Sequence, residues 1–425
     1  MPELFDVAVV GGGPAGSTAA LVLARAGARV ALIDKARFPR DKACGDLVGP
    51  RGVQLLADLR VALPAATRVG DMVVVGPTGR RVRLPCAPGL AYPGYGLAVT
   101  RCTFDATLYD AALAAGAVPV AGRAGGLVGD NDGVEGVAVD GRPPVRATTV
   151  IGADGATSAV AEAAGLVDRR RALWGFAVRA YLGEAVELPV IAFWEPSPWA
   201  ALPGYGWVFP GPGGEANVGI GVGTLGDRAR GREAARLLPG FLRHLAELGL
   251  VADGARHGPV LGGWLKMGMV GTLPAAGGVL LVGDAAGLVN PLQGEGISQA
   301  LRSGWAAATA VLAADGSPGR AAARYRAWLR AEHVPYQGVT AAVQSRLLPH
   351  PRAISALGRV LTLPPVGHAL APGWALFWNE LLNGSGPSPG HATAVAATAI
   401  GRALTARAGA RAWVENEALA PQGAQ

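Results

Sequence analysis

Apolar and polar positions along the first third of the chain alternate between two periods. Val7 to Val10 form a short continuous apolar run that stops at glycines. Small and apolar residues then recur at helical spacing from Pro14 to Ala26, and a second apolar run follows from Arg29 to Ile33. Strand, turn, helix and strand in that order predict a right-handed crossover between parallel strands, the opening of a doubly wound fold.

The pattern then changes. Met72 to Val75 and Val82 to Leu84 flank Pro77-Thr78-Gly79 and predict a hairpin; Phe104 to Ala114 returns to helical spacing. Runs at Val118 to Val120, Val134 to Val139 and Val145 to Ile151 predict a small antiparallel layer, closed by Gly152-Ala153-Asp154-Gly155. From Leu173 to Gly263 the strands become alternating and aromatic-rich (Ile191 to Trp194, Tyr205 to Phe209, Ala216 to Val222), with a helix over Ala229 to Leu248. Val279 to Val282 is again a continuous apolar strand, and Ile297 to Ala313 a long helix. The remainder, from Ala321, is helical and punctuated by proline, and its last stretch, from Ser385, is rich in small residues. The fold class is therefore α/β, α+β overall. A Rossmann-type nucleotide domain over 1–70, 97–165 and 270–320 carries an inserted antiparallel-sheet substrate domain over 71–96 and 166–269, with a C-terminal helical region over 321–425.

Composition narrows the function classes. With 425 residues and 50% hydrophobic positions there is material for two lobes. The formal charge of +7 comes from dispersed arginines, since lysine occurs only at Lys35, Lys42 and Lys266. That distribution argues against nucleic-acid binding and is compatible with peripheral contact with an anionic membrane face. Acidic Glu3 and Asp6 and the break at Gly11 to Pro14 do not resemble an export signal, and no run is long enough to span a bilayer, which predicts a cytoplasmic protein. Cys44, Cys86 and Cys102 form no CxxC pair and the six histidines are scattered, so neither a metal site nor a disulfide framework is expected.

Gly11-Gly12-Gly13-Pro14-Ala15-Gly16 fits GxGxxG after a strand and at the start of a helix, with Asp34, followed by Lys35, ending the second strand. Gly11 permits the turn, Gly13 lets backbone approach a pyrophosphate beside Ala15, and Gly16 allows close packing of helix on strand. Asp34 is placed to accept from an adenosine ribose, and the helix start offers N–H groups to phosphate. Further on, Val279 to Val282 runs into Gly283-Asp284, where ligands bind in such sheets, and Asn290-Pro291-Leu292-Gln293-Gly294-Glu295-Gly296-Ile297 opens the next helix with a positive dipole end.

Together the N-terminal glycines, Asp154-Gly155 and Gly283-Asp284 resemble the FAD fold shared by aromatic hydroxylases and geranylgeranyl reductases, over roughly the first three quarters of the chain. The resemblance implies FAD as cofactor, with Arg101 reaching its phosphates. Phe38-Pro39-Arg40-Asp41-Lys42-Ala43-Cys44-Gly45-Asp46 is similar to the loop that passes the isoalloxazine in the reductases, and Pro203-Gly204-Tyr205-Gly206-Trp207-Val208-Phe209-Pro210 to their aromatic prenyl-channel signature. Gly294-Glu295-Gly296 also matches the reductases, whereas Gln293 stands where a small residue such as Thr is expected. Tyr205, Trp207 and Phe209 alternate along a strand and so share one face, as a substrate wall or as plain sheet core. Cys44 either gates and contacts substrate or merely packs.

The resemblance implies hydrogenation of prenyl C=C bonds on a lipophilic substrate, by hydride from reduced flavin, with Tyr205 or a water supplying the proton and NAD(P)H or ferredoxin as electron donor. A flavin monooxygenase acting on a terpenoid or aromatic metabolite is the alternative, and a non-catalytic prenyl carrier a third reading.

Overall fold

The computed structural model describes residues 4–86, 93–130, 133–197, 199–225, 233–367 and 369. The stretch from Ser385 and the start of the helix expected at Ala229 lie outside these residues.

The first sheet has a parallel spine: Val279–Leu281, Val145–Gly152, Leu4–Val10, Val30–Asp34 and Val118–Ala121 lie side by side in that order. Val10 stands opposite both Gly152 and Ile33, so Gly11, Asp34 and Ala153 leave the sheet at one level, the carboxyl edge where such sheets bind ligands. Helices Pro14–Arg25, Arg101–Ala114 and Ile297–Leu312 pack together beside it. Two of the three strands expected in an antiparallel layer belong to this spine instead. Val145–Gly152 is central and Val118–Ala121 forms the far edge, while only Gly133–Val139 runs antiparallel, between Val145–Gly152 and Ala124–Asp130. A short valine-rich run has no direction written in it, so periodicity alone does not distinguish the two pairings. Ala124–Asp130 has no sequence signature because Gly125, Gly126 and Gly129 interrupt any apolar pattern, and the helix Pro50–Asp58 is only nine residues long and buries Arg51 and Gly52 alongside Val53 and Leu56.

The second sheet runs Leu261–Met267, Leu173–Leu182, Ala216–Leu225, Gly204–Pro210, Val190–Ala192, Met72–Val75 and Arg81–Leu84. All pairs are antiparallel except Val190–Ala192 with Met72–Val75, so the hairpin adds two strands at the sheet's edge. Side-chain alternation divides the work of its faces. Val178, Ala180, Val208 and Ile220 pack against Leu238, Phe241 and Leu245 of the helix Ala234–Glu247. Each of those three helix residues is at most 1% exposed, a burial that stabilises by about 1.5–3 kcal/mol apiece. The opposite face carries Ala177, Arg179, Tyr181, Tyr205, Trp207, Phe209 and Asn217 and turns toward the carboxyl edge of the first sheet. A three-stranded sheet, Leu47–Val48, Gly96–Ala98 and Thr67–Val69, anchors the loop that ends at Asp46. Helices Pro318–Glu332, Val334–Leu347 and Pro351–Leu361 complete the described chain. None of its helices is long and apolar enough to cross a membrane.

Candidate active site

The glycine turn is built so tightly that side chains are excluded. Gly11 has φ +106°, and a Cβ on it would lie 2.3 Å from the Ala153 carbonyl oxygen; one on Gly16 would lie 1.8 Å from the Gly11 oxygen. The turn is held from the side by Asp34, whose Oδ2 accepts from Gly12 N at 2.6 Å and Oδ1 from Ala36 N at 2.7 Å. Lys35 beside it is exposed. Gly13 precedes the helix without a side-chain cap, so the first-turn N–H groups, including those of Ala15 and Gly16, point outward with no partner within the helix. This cradle suits a pyrophosphate. Its floor meets the other motifs: a Cβ on Gly283 would touch that of Ala15 at 3.2 Å, and one on Gly296 would come within 3.7 Å of Asp284 Oδ1. Asp284 also faces Lys42, Oδ2 to Nζ at 3.5 Å.

Asp154 and Arg101 are both engaged by neighbours close along the chain. The Asp154 carboxylate is turned onto its own chain, accepting from Ser158 Oγ, from Ala159 N at 2.7 Å and from Val160 N at 3.2 Å, and is not among the residues lining the cavity described below. It fixes the turn whose Ala153 oxygen presses on Gly11, and burial raises its pKa. Arg101 forms a bidentate pair with Asp105 (2.8 and 2.7 Å), which also takes Arg40 at 2.9 Å. Arg101, 4% exposed, lines the cavity beside Cys44. At the second helix start, Glu295 Oε1 already accepts from Ser298 N at 2.7 Å, so part of the helix dipole near Gly294, Gly296 and Ile297 is answered by a protein carboxylate.

These segments surround a cavity of about 640 Å³, within the size range of small-molecule sites. Cys44, Gly45, Asp46, Arg101, Asp284 and Gly294 to Ile297 line one part, and Met72, Leu84, Ile191, Tyr205, Trp207 and Phe209 another. The aromatic stripe therefore faces the cavity. Tyr205 meets Trp207 edge-on at 6.4 Å and Trp207 stacks on Phe209 at 6.1 Å. Tyr205 donates its hydroxyl proton to the Gln293 carbonyl, and burial raises its pKa. That contact uses the Gln293 backbone and so does not depend on which side chain stands there. Trp207 donates Nε1–H to Asn217 Oδ1 at 2.9 Å and is a wall. The Cys44 thiol accepts from Asp46 N at 3.4 Å, and burial raises its pKa despite the nearby Arg101.

Four polar residues that no motif announced, Tyr181, Asn217, Arg179 and Lys266, complete the site around the Asp284 turn and Asp46, the last residue of the loop from Phe38. Asp46, 1% exposed and with φ +61°, accepts on Oδ2 from Tyr181 Oη at 2.5 Å and from Asn217 Nδ2 at 2.9 Å. Burial raises its pKa to about 6 against the pull of those hydrogen bonds and of Arg179 and Arg101. Arg179 lies over the Tyr181 ring at 4.2 Å and pairs with Asp41. Lys266, 1% exposed, donates to Ala285 O at 2.6 Å and so ties the second sheet to the Asp284 turn; burial lowers its pKa to about 8, with Asp154 and Asp284 opposing.

Comparison with known proteins agrees with this geometry. Residues 5–187 match the model of an FAD binding domain. Among curated proteins, the chain is 38% identical over 318 residues to menaquinone reductase of Mycolicibacterium smegmatis, covering 71% of this chain and 75% of that one. It is 33% identical over 309 residues to digeranylgeranylglycerophospholipid reductase 2 of Methanopyrus kandleri, with the same coverage of each. Among solved structures, a geranylgeranyl bacteriochlorophyll reductase-like protein of Thermoplasma acidophilum superposes with a TM-score of 0.72 at 26% identity, over 90% of this chain and 99% of that one. With a cradle for a dinucleotide, a cavity walled by the Tyr205, Trp207 and Phe209 stripe, and these relatives, the chain belongs to the geranylgeranyl reductase family of FAD-dependent oxidoreductases.

Proposed function

We propose that this protein hydrogenates C=C bonds in the prenyl chain of a lipophilic substrate such as a polyprenyl quinone or a geranylgeranyl lipid. The observation that carries the proposal is the single cavity in which Asp284 and the loop of Cys44 to Asp46 share space with the aromatic wall. The Gly11 to Gly16 turn with Ala15, Asp34 and Lys35, the edge formed by Gly283, Asp284, Gly294, Gly296 and Ile297, and Arg101 beside Cys44, Gly45 and Asp46 are the residues that would hold FAD; Asp154 acts through the turn it fixes. When bound and reduced, FAD supplies hydride. The chain's own part is to place the alkene and to exclude water, and Tyr205, Trp207, Phe209 and Ile191 present a dry wall for it.

The substrate's entrance is read at the helices Val334–Leu347 and Pro351–Leu361. Val343 and Leu357 both line the cavity and are 36% and 40% exposed, and Trp199, 82% exposed, lies close by, its carbonyl accepting from Arg352. Apolar side chains joined to arginines at a cavity mouth suit peripheral contact with an anionic bilayer, from which a lipid tail enters directly. The electron donor is NAD(P)H or ferredoxin through transient contact, in keeping with a sequence that holds one glycine-rich strand-to-helix turn.

Product mass tests the reading. The purified flavoprotein, reduced chemically, is given a polyprenyl quinone or geranylgeranyl substrate with and without oxygen. A gain of two hydrogens under anoxia is expected; turnover that requires oxygen and adds an oxygen atom would replace the reductase by a monooxygenase.

A further inference from the structure

Adding hydride to an isolated alkene leaves the neighbouring carbon in need of a proton, and the side chains facing the cavity differ in whether they can give one. Tyr205 already spends its proton on the Gln293 carbonyl. The Cys44 thiol lies against Arg101 and is half-buried in the wall. Asp46 is arranged otherwise. The Trp207 indole is a donor only, so it fixes the Asn217 amide with Oδ1 toward the indole and Nδ2 toward Asp46. Asn217 Nδ2 also reaches Cys44 O at 2.8 Å, which locks the amide to the loop itself. Asp46 Oδ2 is thereby an acceptor in either charge state, with Tyr181 Oη as its second donor, whereas Oδ1 is buried with no hydrogen-bond partner among the described residues. A proton on this carboxyl belongs on Oδ1, on a residue that lines the cavity.

Resting on the prenyl-reductase reading, we infer that Asp46 is the general acid of the hydrogenation. Hydride brings its electron pair to one alkene carbon; the π pair forms the second C–H bond by taking the proton from Asp46 Oδ1, whose O–H bond breaks and leaves a carboxylate. That carboxylate is held by Tyr181 and Asn217, and it regains its proton from solvent before the next turnover. The groups facing it from the surrounding elements are Arg101 from its helix, Arg179 and Tyr181 from the strand Leu173–Leu182, Asn217 from the next strand, and Cys44 from the loop. The two guanidiniums stabilise the carboxylate that the step creates, and burial stabilises the acid that precedes it, which keeps Asp46 near the acidity at which proton donation is efficient.

Two arms test the inference. In the parent holoenzyme without substrate, infrared spectroscopy with carbon-13-labelled aspartate is expected to show a buried, protonated carboxyl that titrates in the weakly acidic range and is missing in Asp46→Asn. In anoxic single turnovers of chemically reduced enzyme, Asp46→Asn is expected to slow hydrogenation by at least about a hundredfold per bound, reduced flavin, the flavin content of parent and variant being measured first. Tyr181→Phe removes a hydrogen bond that favours the charged form, so the pH limb of the rate should move to higher pH, a change that a purely structural role would not produce. Absence of the titrating carboxyl, or hydrogenation by Asp46→Asn at the parental rate, overturns the assignment alone. A parent that adds hydrogen to no prenyl substrate overturns the functional reading, and with it the role given to Asp46.

Discussion

Asp46 gives a stability signature that can be measured without any substrate. Its pKa is raised from 3.8 to about 6, so the folded chain holds the proton more tightly than the unfolded chain does. A group raised in this way contributes its full stabilisation below the unfolded value and loses it as pH rises through the folded one, in total about 3 kcal/mol. Between about pH 4.5 and 7.5 some 2 kcal/mol of that loss develops. Asp46→Asn carries no such charge. The stability of the variant relative to the parent should therefore rise by about 2 kcal/mol over this range. Unfolding entropy of about 2.1 cal/mol/K per residue over the whole chain converts this to about 2 °C in relative Tm. The groups around Asp46 do not blur the comparison: the Cys44 and Tyr181 pKa values are pushed up, and Arg101 and Arg179 stay charged. Any fixed cost of placing an amide in the pocket cancels, because only the change with pH is read. Calorimetry of both holoproteins across the range is the assay. A difference that stays flat with pH, or that falls, would refute the claim that a buried carboxyl titrates there.

Gly16→Ala would set a methyl group 1.8 Å from a backbone oxygen, so the turn must open at a cost of about 1–3 kcal/mol, and the variant should purify with little flavin, seen as lost visible absorbance per chain. Arg101→Ala leaves Asp105, fully buried, paired with the half-buried Arg40 at 2.9 Å, and should cost about 3–5 kcal/mol in urea unfolding; Arg101→Ala with Asp105→Ala should cost less than the single change, and an equal or larger loss would contradict the pairing. Tyr205→Phe deletes one hydrogen bond to the Gln293 carbonyl, worth about 1 kcal/mol, and should lower single-turnover rates less than tenfold; a loss of a hundredfold or more would return the proton-donor role to Tyr205 and take it from Asp46.

How far the sequence discloses this site depends on whether each part is local. The Gly11 to Gly16 turn and Asp34 are a strand, a turn and a strand end within one crossover, so their residue types carry the geometry, and Gly12 N on Asp34 confirms the closeness of the two. The stripe Tyr205, Trp207, Phe209 was legible for the same reason, since alternation along one strand assigns a face. Gly283-Asp284 was legible because a buried parallel strand delivers it to the carboxyl edge. The proton-active cluster is of another kind. Asp46 meets Asn217 across 171 positions and Tyr181 across 135, and these contacts exist only because the second sheet turns one face onto the loop after Phe38. No residue type signals such a meeting: Asn217 reads as a polar interruption in a valine-rich strand, and Arg179 and Tyr181 as the outward half of an alternating one. Asp154 and Arg101 show the converse limit. Their positions were legible from the motifs, but a carboxylate can serve a site by holding backbone and an arginine by pairing with Asp105, and that choice is made by neighbours four to six residues along the chain. What sequence supplies here is therefore the frame that brings cofactor and prenyl chain together, while the acid that finishes the reaction is a product of how the two sheets face each other.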